Sequence, residues 1–264
     1  MKVGIIGYGS MGKMLLWKFS ENYKIANQDL YVNNRTIEKC SEASNIAQIV
    51  SAKELAAACD IFFVCVRPAD IRTVLEDIKD CIKDDALVVS LNGSVSFESI
   101  GAIIDCQTAK VIPSLTAEIC RSQTLVCYND RVTDDNKVIL EALLASIGDV
   151  ITLPENEMGM GSELVSCMPG FIASIFDVIC NSAKKHTSIP DDQIVKMVLQ
   201  TMSATGDLML RKDMTFEDVV KRVATPGGIT EEGTKVVYTG FPETADLLFE
   251  KTLEKRRMTA QKNK

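Results

Sequence analysis

This 264-residue chain has only one histidine, no Cys-x-x-Cys pair, no surplus of positive charge and no long apolar run. Each absence removes a class of function. The lone histidine sits in Lys184-Lys185-His186-Thr187, which reads as an exposed helix end where positive charge suits the last carbonyls, not as a catalytic base. The nine cysteines are odd in number and lack metal-ligand spacing, so no metal is expected. Cys65, Cys127 and Cys180 lie in apolar runs, as small core residues do, and the set suits a reduced cytoplasm. A net charge of −7 and a pI near 5.0 argue against a nucleic-acid partner. The basic residues that do cluster, in LEKRRMTAQKNK, read as a frayed, solvated terminus. Met1-Lys2 leads straight into an apolar strand, so no signal peptide is expected. No uninterrupted apolar run approaches the ~20 residues of a membrane helix, so no membrane partner is expected either. Internal repeats and low-complexity stretches are also missing.

What is present is an alternation of strand and helix. Val3 to Ile6, Leu30 to Val32, a weak Ile49-Val50, Ile61 to Val66, Ala86 to Leu91 and Val111-Ile112 read as strands. Helical spacing covers Met11 to Phe19, Ala69 to Ile82 and Phe97 to Ile104, and Ser51-x-x-Glu54 forms a capping box before a short helix. Leu125 to Cys127 and Ile151 to Leu153 flank a helix near Asp134 to Ser146. Continuous apolar runs suit strands buried on both faces, and the alternation implies an α/β fold, a mostly parallel sheet with right-handed crossovers. After Pro154 the chain becomes helical. Gly159 to Lys185 is a long apolar helix with a break expected at Pro169-Gly170, and its residues Ile172, Ile175, Phe176 and Ile179 share one face. The helix after Pro190 carries the stripe Ile194, Met197, Val198, Met202, Thr205, Leu208 and Met209. Two domains follow, 1–154 and 155–264.

Gly7-Tyr8-Gly9-Ser10-Met11-Gly12 fits G-x-G-x-x-G between a strand and a helix. The first glycine permits the turn, the second lets a pyrophosphate approach the backbone, and the third lets helix and strand pack. NAD-binding units carry an acidic residue about 20 positions on. Here that place reads Asn33-Asn34-Arg35-Thr36, where a guanidinium, a hydroxyl and amides suit a 2′-phosphate, so NADPH is expected over NADH. Near the other end, VATPGGITEEG sets a Pro-Gly-Gly turn before a helix, where bare backbone N–H groups and the helix start could hold a carboxylate.

The order IIGYGSMG, NNRT, FFVCVRP, KVIPSLTA, LVSCMPGF and VATPGGITEEG resembles that of pyrroline-5-carboxylate reductases, and more closely the reductase-like branch encoded with late-competence genes. The resemblance implies an N-terminal Rossmann domain binding NADPH or NADH, and an all-α C-terminal dimerisation domain. It implies reduction of the cyclic imine 1-pyrroline-5-carboxylate to L-proline. By position, Gly7, Tyr8, Gly9, Ser10, Met11 and Gly12 would hold the pyrophosphate. Asn34, Arg35 and Thr36 would take the 2′-phosphate. Cys65, Val66, Arg67 and Pro68 would line the ribose and adenine side, and Asn92 and Gly93 the nicotinamide ribose. Thr225, Gly227 and Gly228 would receive the substrate carboxylate, and Thr230 would hydrogen-bond the ring nitrogen. The chain departs from the family at Ser114 and Thr116, where MPN-x-P is usual, and across Ser166 to Phe171, where GSGPAY is usual. Those changes keep open a second reading, a dinucleotide-binding paralogue with a regulatory role or another imine substrate. A β-hydroxyacid dehydrogenase is disfavoured, because Ser174 stands where its lysine would be, four residues after Gly170.

Overall fold

The protein's structure, a computed structural model, describes residues 1–262. Its first half builds β1 (Val3–Ile6), α1 (Ser10–Glu21), β2 (Leu30–Asn33), β3 (Gln48–Ile49), α2 (Ala52–Ala58), β4 (Ile61–Val64) and α3 (Pro68–Ile78). There follow β5 (Leu87–Ser90), α4 (Phe97–Gly101), β6 (Gln107–Ile112), β7 (Ser122–Tyr128), α5 (Asp134–Ala145) and β8 (Gly148–Thr152). The strands form one sheet in the order β3-β2-β1-β4-β5-β6-β7-β8. All neighbours run parallel except β6 and β7, which pair antiparallel. The expected mostly parallel, doubly wound sheet is therefore what forms, and its order turns back on itself between β1 and β4.

Adjacent residues of each central strand feed opposite cores. Phe63 joins Phe19, Leu15 and Leu144 on one face, while Phe62 joins Leu55, Leu75 and Ile100 on the other. This is why β1, β4 and β5 read as continuous apolar runs: every residue in them is buried. The capping box at α2 forms as expected, with the Glu54 N–H donating to Ser51 Oγ and the Ser51 N–H donating to Glu54 Oε2.

The second half is helical: α6 (Met158–Ser162), α7 (Met168–Ala183), α8 (Asp191–Lys212), α9 (Phe216–Val223), α10 (Ile229–Gly240) and α11 (Pro242–Lys262). The expected break at Pro169-Gly170 does not occur. A π-helical turn, Glu163–Cys167, joins α6 to α7 instead, and the helix passes through the proline. The wider turn changes the carbonyl positions that a proline ring would meet in regular α-helix. The stretch Glu155–His186 is long and apolar enough to cross a membrane by length and composition, with a mean hydropathy of 1.6 in its best window. Charges at Glu163 and Asp177 interrupt it, so a search for an uninterrupted run passes it over.

Two compact units emerge. One comprises Met1–Pro169 with Leu253–Lys264, the other Gly170–Thr252. The basic tail is not frayed over its described length. Within the first unit, Arg256 Nε and Nη2 donate to Glu163 Oε1 at 3.2 and 2.8 Å, and Nη2 also donates to Ser162 Oγ at 3.0 Å. The second unit leaves much apolar surface bare, with Phe216 80%, Leu210 78% and Ile229 95% exposed. Between α7 and α8 it has an open apolar groove of about 600 Å³, lined by Ile172, Phe176, Met197, Met202, Met209 and, from α9, Phe216.

The first unit's stability is expected to hinge on the buried aromatic pair Phe19 and Phe63, whose ring centroids lie 5.2 Å apart. Phe63→Ala should cost about 3–5 kcal/mol, read as a lowered urea midpoint with an unchanged slope.

Candidate functional site

The C-terminal ends of the parallel strands carry the candidate cofactor residues in spatial sequence. Asn34 to Thr36 follow β2, Gly7 to Gly12 follow β1, Cys65 to Pro68 follow β4, and Asn92-Gly93 follow β5. Four hydrogen bonds tie these loops to one another. The Gly7 N–H donates to Asn33 O, Tyr8 N–H to Asn34 Oδ1, Cys65 N–H to Ile6 O, and Asn92 Nδ2 to Val66 O.

The three glycines differ sharply in what surrounds them. Gly7 has a φ of 101°, and a Cβ there would lie 2.7 Å from Cys65 O. A Cβ on Gly12 would sit 2.0 Å from Gly7 O, so α1 can approach β1 only at glycine. Gly9 meets nothing within 4 Å of its Cβ position and caps α1 with no side-chain hydrogen bond. The helix start is thus open to an external acceptor at the middle glycine. This cradle fits the diphosphate of a dinucleotide, whose charge suits a helix N-terminus.

Tyr8 is held for support. Its hydroxyl accepts from Trp17 Nε1 at 2.9 Å and donates to Glu42 Oε1 at 3.2 Å, and burial pushes its phenol pKa up. Glu42 also pairs with Lys13 at 2.6 Å. Asn34 is oriented by the loop, since its Oδ1 takes the Tyr8 N–H and its Nδ2 donates to Thr36 O at 2.7 Å. Arg35 and Thr36 are exposed, and the Thr36 hydroxyl does not cap the 3₁₀ segment Ile37–Asn45 that follows it. Ser10 and Met11 open α1. Val66 is half-buried, Cys65 packs against the core with its thiol pKa raised by burial, and Pro68 starts α3. Arg67 caps α3 by position and pairs with Asp70 at 3.1 Å. Asn92 is 6% exposed, and its N–H donates to Ser90 Oγ.

In the second unit the Pro-Gly-Gly turn has a definite shape. Gly227 has a φ of 73°, and the Gly228 N–H donates to Thr225 O at 2.8 Å. A Cβ on Gly228 would lie 2.6 Å from Thr225 Oγ1. The Gly227 N–H donates to Glu231 Oε2 at 2.8 Å, which with Lys235 holds that carboxyl below its usual pKa range. The turn therefore grips a carboxylate already, one supplied from four residues on. Thr230 lies in the first turn of α10, and Gly228 caps that helix without a side chain.

The altered segments are ordered by their own polar contacts. Ser114 is 2% exposed, its N–H donates to Ser122 Oγ, and its own Oγ accepts from the Thr116 N–H. Thr116 Oγ1 donates to Arg121 O. Met168 is half-buried, and Ser166 and Cys167 lie in the π-turn. The Cys167 thiol is pushed up, first by burial and then by Glu163. It is packed and protonated, not an activated nucleophile. The cysteines are all free, and no group of three or more possible metal ligands gathers among the described residues. Sequence reasoning missed Glu163, Arg256 and Glu231. A single carboxylate inside the apolar stretch Met158 to Cys167 was the signal available for the first.

The glycine contrasts give a paired expectation. Gly12→Ala should lower both melting temperature and dinucleotide affinity, because backbone must move. Gly9→Ala should lower affinity alone, because only an incoming phosphate meets the new methyl. Thermal unfolding and NADPH fluorescence titration of both variants check this.

Comparison with known proteins finds matches to both halves of the chain. Residues 155–258 match the family model described as pyrroline-5-carboxylate reductase dimerisation, and residues 2–93 match NADP oxidoreductase, coenzyme F420-dependent. The chain is 29% identical to pyrroline-5-carboxylate reductase 3 of Bacillus subtilis (strain 168), covering 98% of this chain and 97% of the relative. It is 27% identical to ComE operon protein 4 of the same organism, covering 96% and 94%. Among solved structures, the NADP-bound pyrroline carboxylate reductase of Plasmodium falciparum superposes with a TM-score of 0.87 at 21% identity, covering 98% of both chains. With a Rossmann sheet suited to a nicotinamide dinucleotide and a helical region that matches the dimerisation model, the chain is similar to pyrroline-5-carboxylate reductases over nearly its whole length, and this likeness marks it as an oxidoreductase acting on a C=N bond.

Proposed function

We propose that the protein is an NADPH-dependent imine reductase that converts 1-pyrroline-5-carboxylate to L-proline in the cytoplasm, working as a homodimer or higher homo-oligomer. The observation that carries the reading is the pair of anion-binding turns, one on each unit, in the order this family shows. Gly7 to Gly12 suit the diphosphate, and the Pro-Gly-Gly turn suits a carboxylate, as its grip on Glu231 illustrates. Arg35 and Thr36, exposed and uncommitted as caps, would take the 2′-phosphate and favour NADPH. Domains of 1–154 and 155–264 would divide the work, with most of the cofactor groups on the first and the substrate groups and dimer contacts on the second. The bare apolar faces of α7 to α10 suit a second copy.

When bound, the reduced nicotinamide supplies the hydride that goes to the imine carbon. The chain's own part is placement and a proton. Thr225, Gly227 and Gly228 would orient the substrate through its carboxylate, displacing Glu231 from the Gly227 N–H. The Thr230 hydroxyl would hydrogen-bond the ring nitrogen and relay the proton that completes the amine. Backbone donors and one hydroxyl suffice, which fits a chain with one histidine, itself exposed at the end of α7. The resemblance to ComE operon protein 4, together with the altered Ser114, Thr116 and Ser166 to Phe171, supports a second reading, a dinucleotide-binding paralogue with a regulatory role or another imine substrate.

Steady-state oxidation of NADPH by pyrroline-5-carboxylate separates the two. Turnover that Thr230→Ala lowers by about tenfold or more, at unchanged NADPH affinity, is expected of the reductase. Tight NADPH binding with no turnover would support the paralogue instead. Arg35→Ala should weaken NADPH by roughly tenfold and leave NADH little changed. An unaltered ratio of the two affinities removes Arg35 from 2′-phosphate recognition.

A further inference from the structure

Glu163 is 1% exposed, and its Oε2 has no hydrogen-bond partner among the described residues. Burying an ion pair costs more than packing alone would justify, since apolar residues of similar volume often serve as well. The pair with Arg256 does something apolar residues could not: it fixes the plane of a guanidinium. Nε and Nη2 form a fork on Glu163 Oε1, with Ser162 Oγ as a second acceptor for Nη2. The π-turn that opens at Glu163 sets this carboxylate beside α6, and such turns recur at functional sites.

The remaining nitrogen, Nη1, stands outside the fork. It lies 3.5 Å from the position a Cβ would take on Gly93, and Arg256 Cδ lies 3.4 Å from that position on Gly159. Arg256 thus runs past two glycines, at van der Waals distance from where their Cβ atoms would stand. Gly93 is no ordinary neighbour. It follows β5, next to β4 and two strands from β1 on the edge where the candidate cofactor residues are arrayed. A dinucleotide whose diphosphate rests on Gly7 to Gly12 and whose 2′-phosphate lies toward β2 must send its other half this way.

We propose that Arg256 is a cofactor-binding residue: its Nη1, oriented by Glu163, donates a hydrogen bond to an oxygen on the nicotinamide-riboside half of the dinucleotide. The acceptor is a carboxamide oxygen or a ribose hydroxyl. Glu163 is the positioning residue, and it cancels the charge so that Nη1 acts as a directed donor rather than as an anion trap. This rests on the cofactor placement argued above.

The test compares three probes by equilibrium binding: NADP⁺, its 2′-phospho-ADP-ribose fragment, which lacks the ring, and 2′,5′-ADP, which lacks the ring and its ribose. Arg256→Met alone strands a buried carboxylate and can fail to fold, so the principal variant is Arg256→Met with Glu163→Leu. The variant should bind NADP⁺ about tenfold more weakly than the wild type, the worth of one charge-assisted hydrogen bond, and 2′,5′-ADP equally well. A weakened 2′-phospho-ADP-ribose then assigns the ribose hydroxyl, and an unchanged one assigns the carboxamide. Equal weakening of all three, or of none, overturns the assignment and leaves the pair a packing device. If wild-type protein binds none of the probes, the cofactor reading fails and takes this inference with it.

Discussion

The approach of α1 to the end of β1 is the constraint from which the cofactor edge follows. Gly12 leaves no room for even a methyl against Gly7 O, and Gly7 itself is pressed against Cys65 O. That contact fixes where the helix begins, and so where its uncapped N–H groups point. The remaining loops are then tied to it in series. Asn34 holds the Tyr8 N–H, Ile6 O holds Cys65, and Val66 O holds the Asn92 amide. A shift at any one of them is felt by the next, so the edge behaves as one surface although its residues come from four separate loops.

Charge is used sparingly around these turns. The groups that face prospective ligands are mainly backbone N–H groups, hydroxyls and exposed arginines. Carboxylates work behind them, Glu42 under Tyr8 and Lys13, Glu163 behind Arg256. Glu231 is different, because it competes for the very donor a substrate carboxylate would need. It is charged at neutral pH and, with its pKa lowered by the Gly227 N–H and Lys235, stays charged below the usual carboxylate range, so a substrate carboxylate proposed to sit at Gly227 would have to displace it.

The centre of the sheet was readable because β1, β4 and β5 are short and fully buried. Val3 to Ile6 and Ile61 to Val64 could hardly be anything else once bounded by glycine and proline. The glycine loop was equally readable, since its steric demands are local. What was lost in sequence reflects interactions across long separations or cooperative turns. The π-turn at Glu163–Cys167 makes Pro169 harmless, and no residue-by-residue propensity anticipates that compensation. Arg256 looked like part of a solvated tail because its partner lies 93 positions earlier. The hydrogen bonds that tie Asn34 Oδ1 to the Tyr8 N–H and Asn34 Nδ2 to Thr36 O were likewise not legible in the sequence.

The second unit shows Phe216, Leu210 and Ile229 to its surroundings, along with an apolar groove between α7 and α8. Water must be ordered around all of that surface for as long as it stays bare. A partner that covers it in the folded form alone adds stability by mass action. If that partner is a second copy of the chain, as proposed above, resistance to heat would be a function of how much of it is present. Dilution would then act as a denaturant, and a melting temperature quoted without a protein concentration would describe nothing fixed about the molecule.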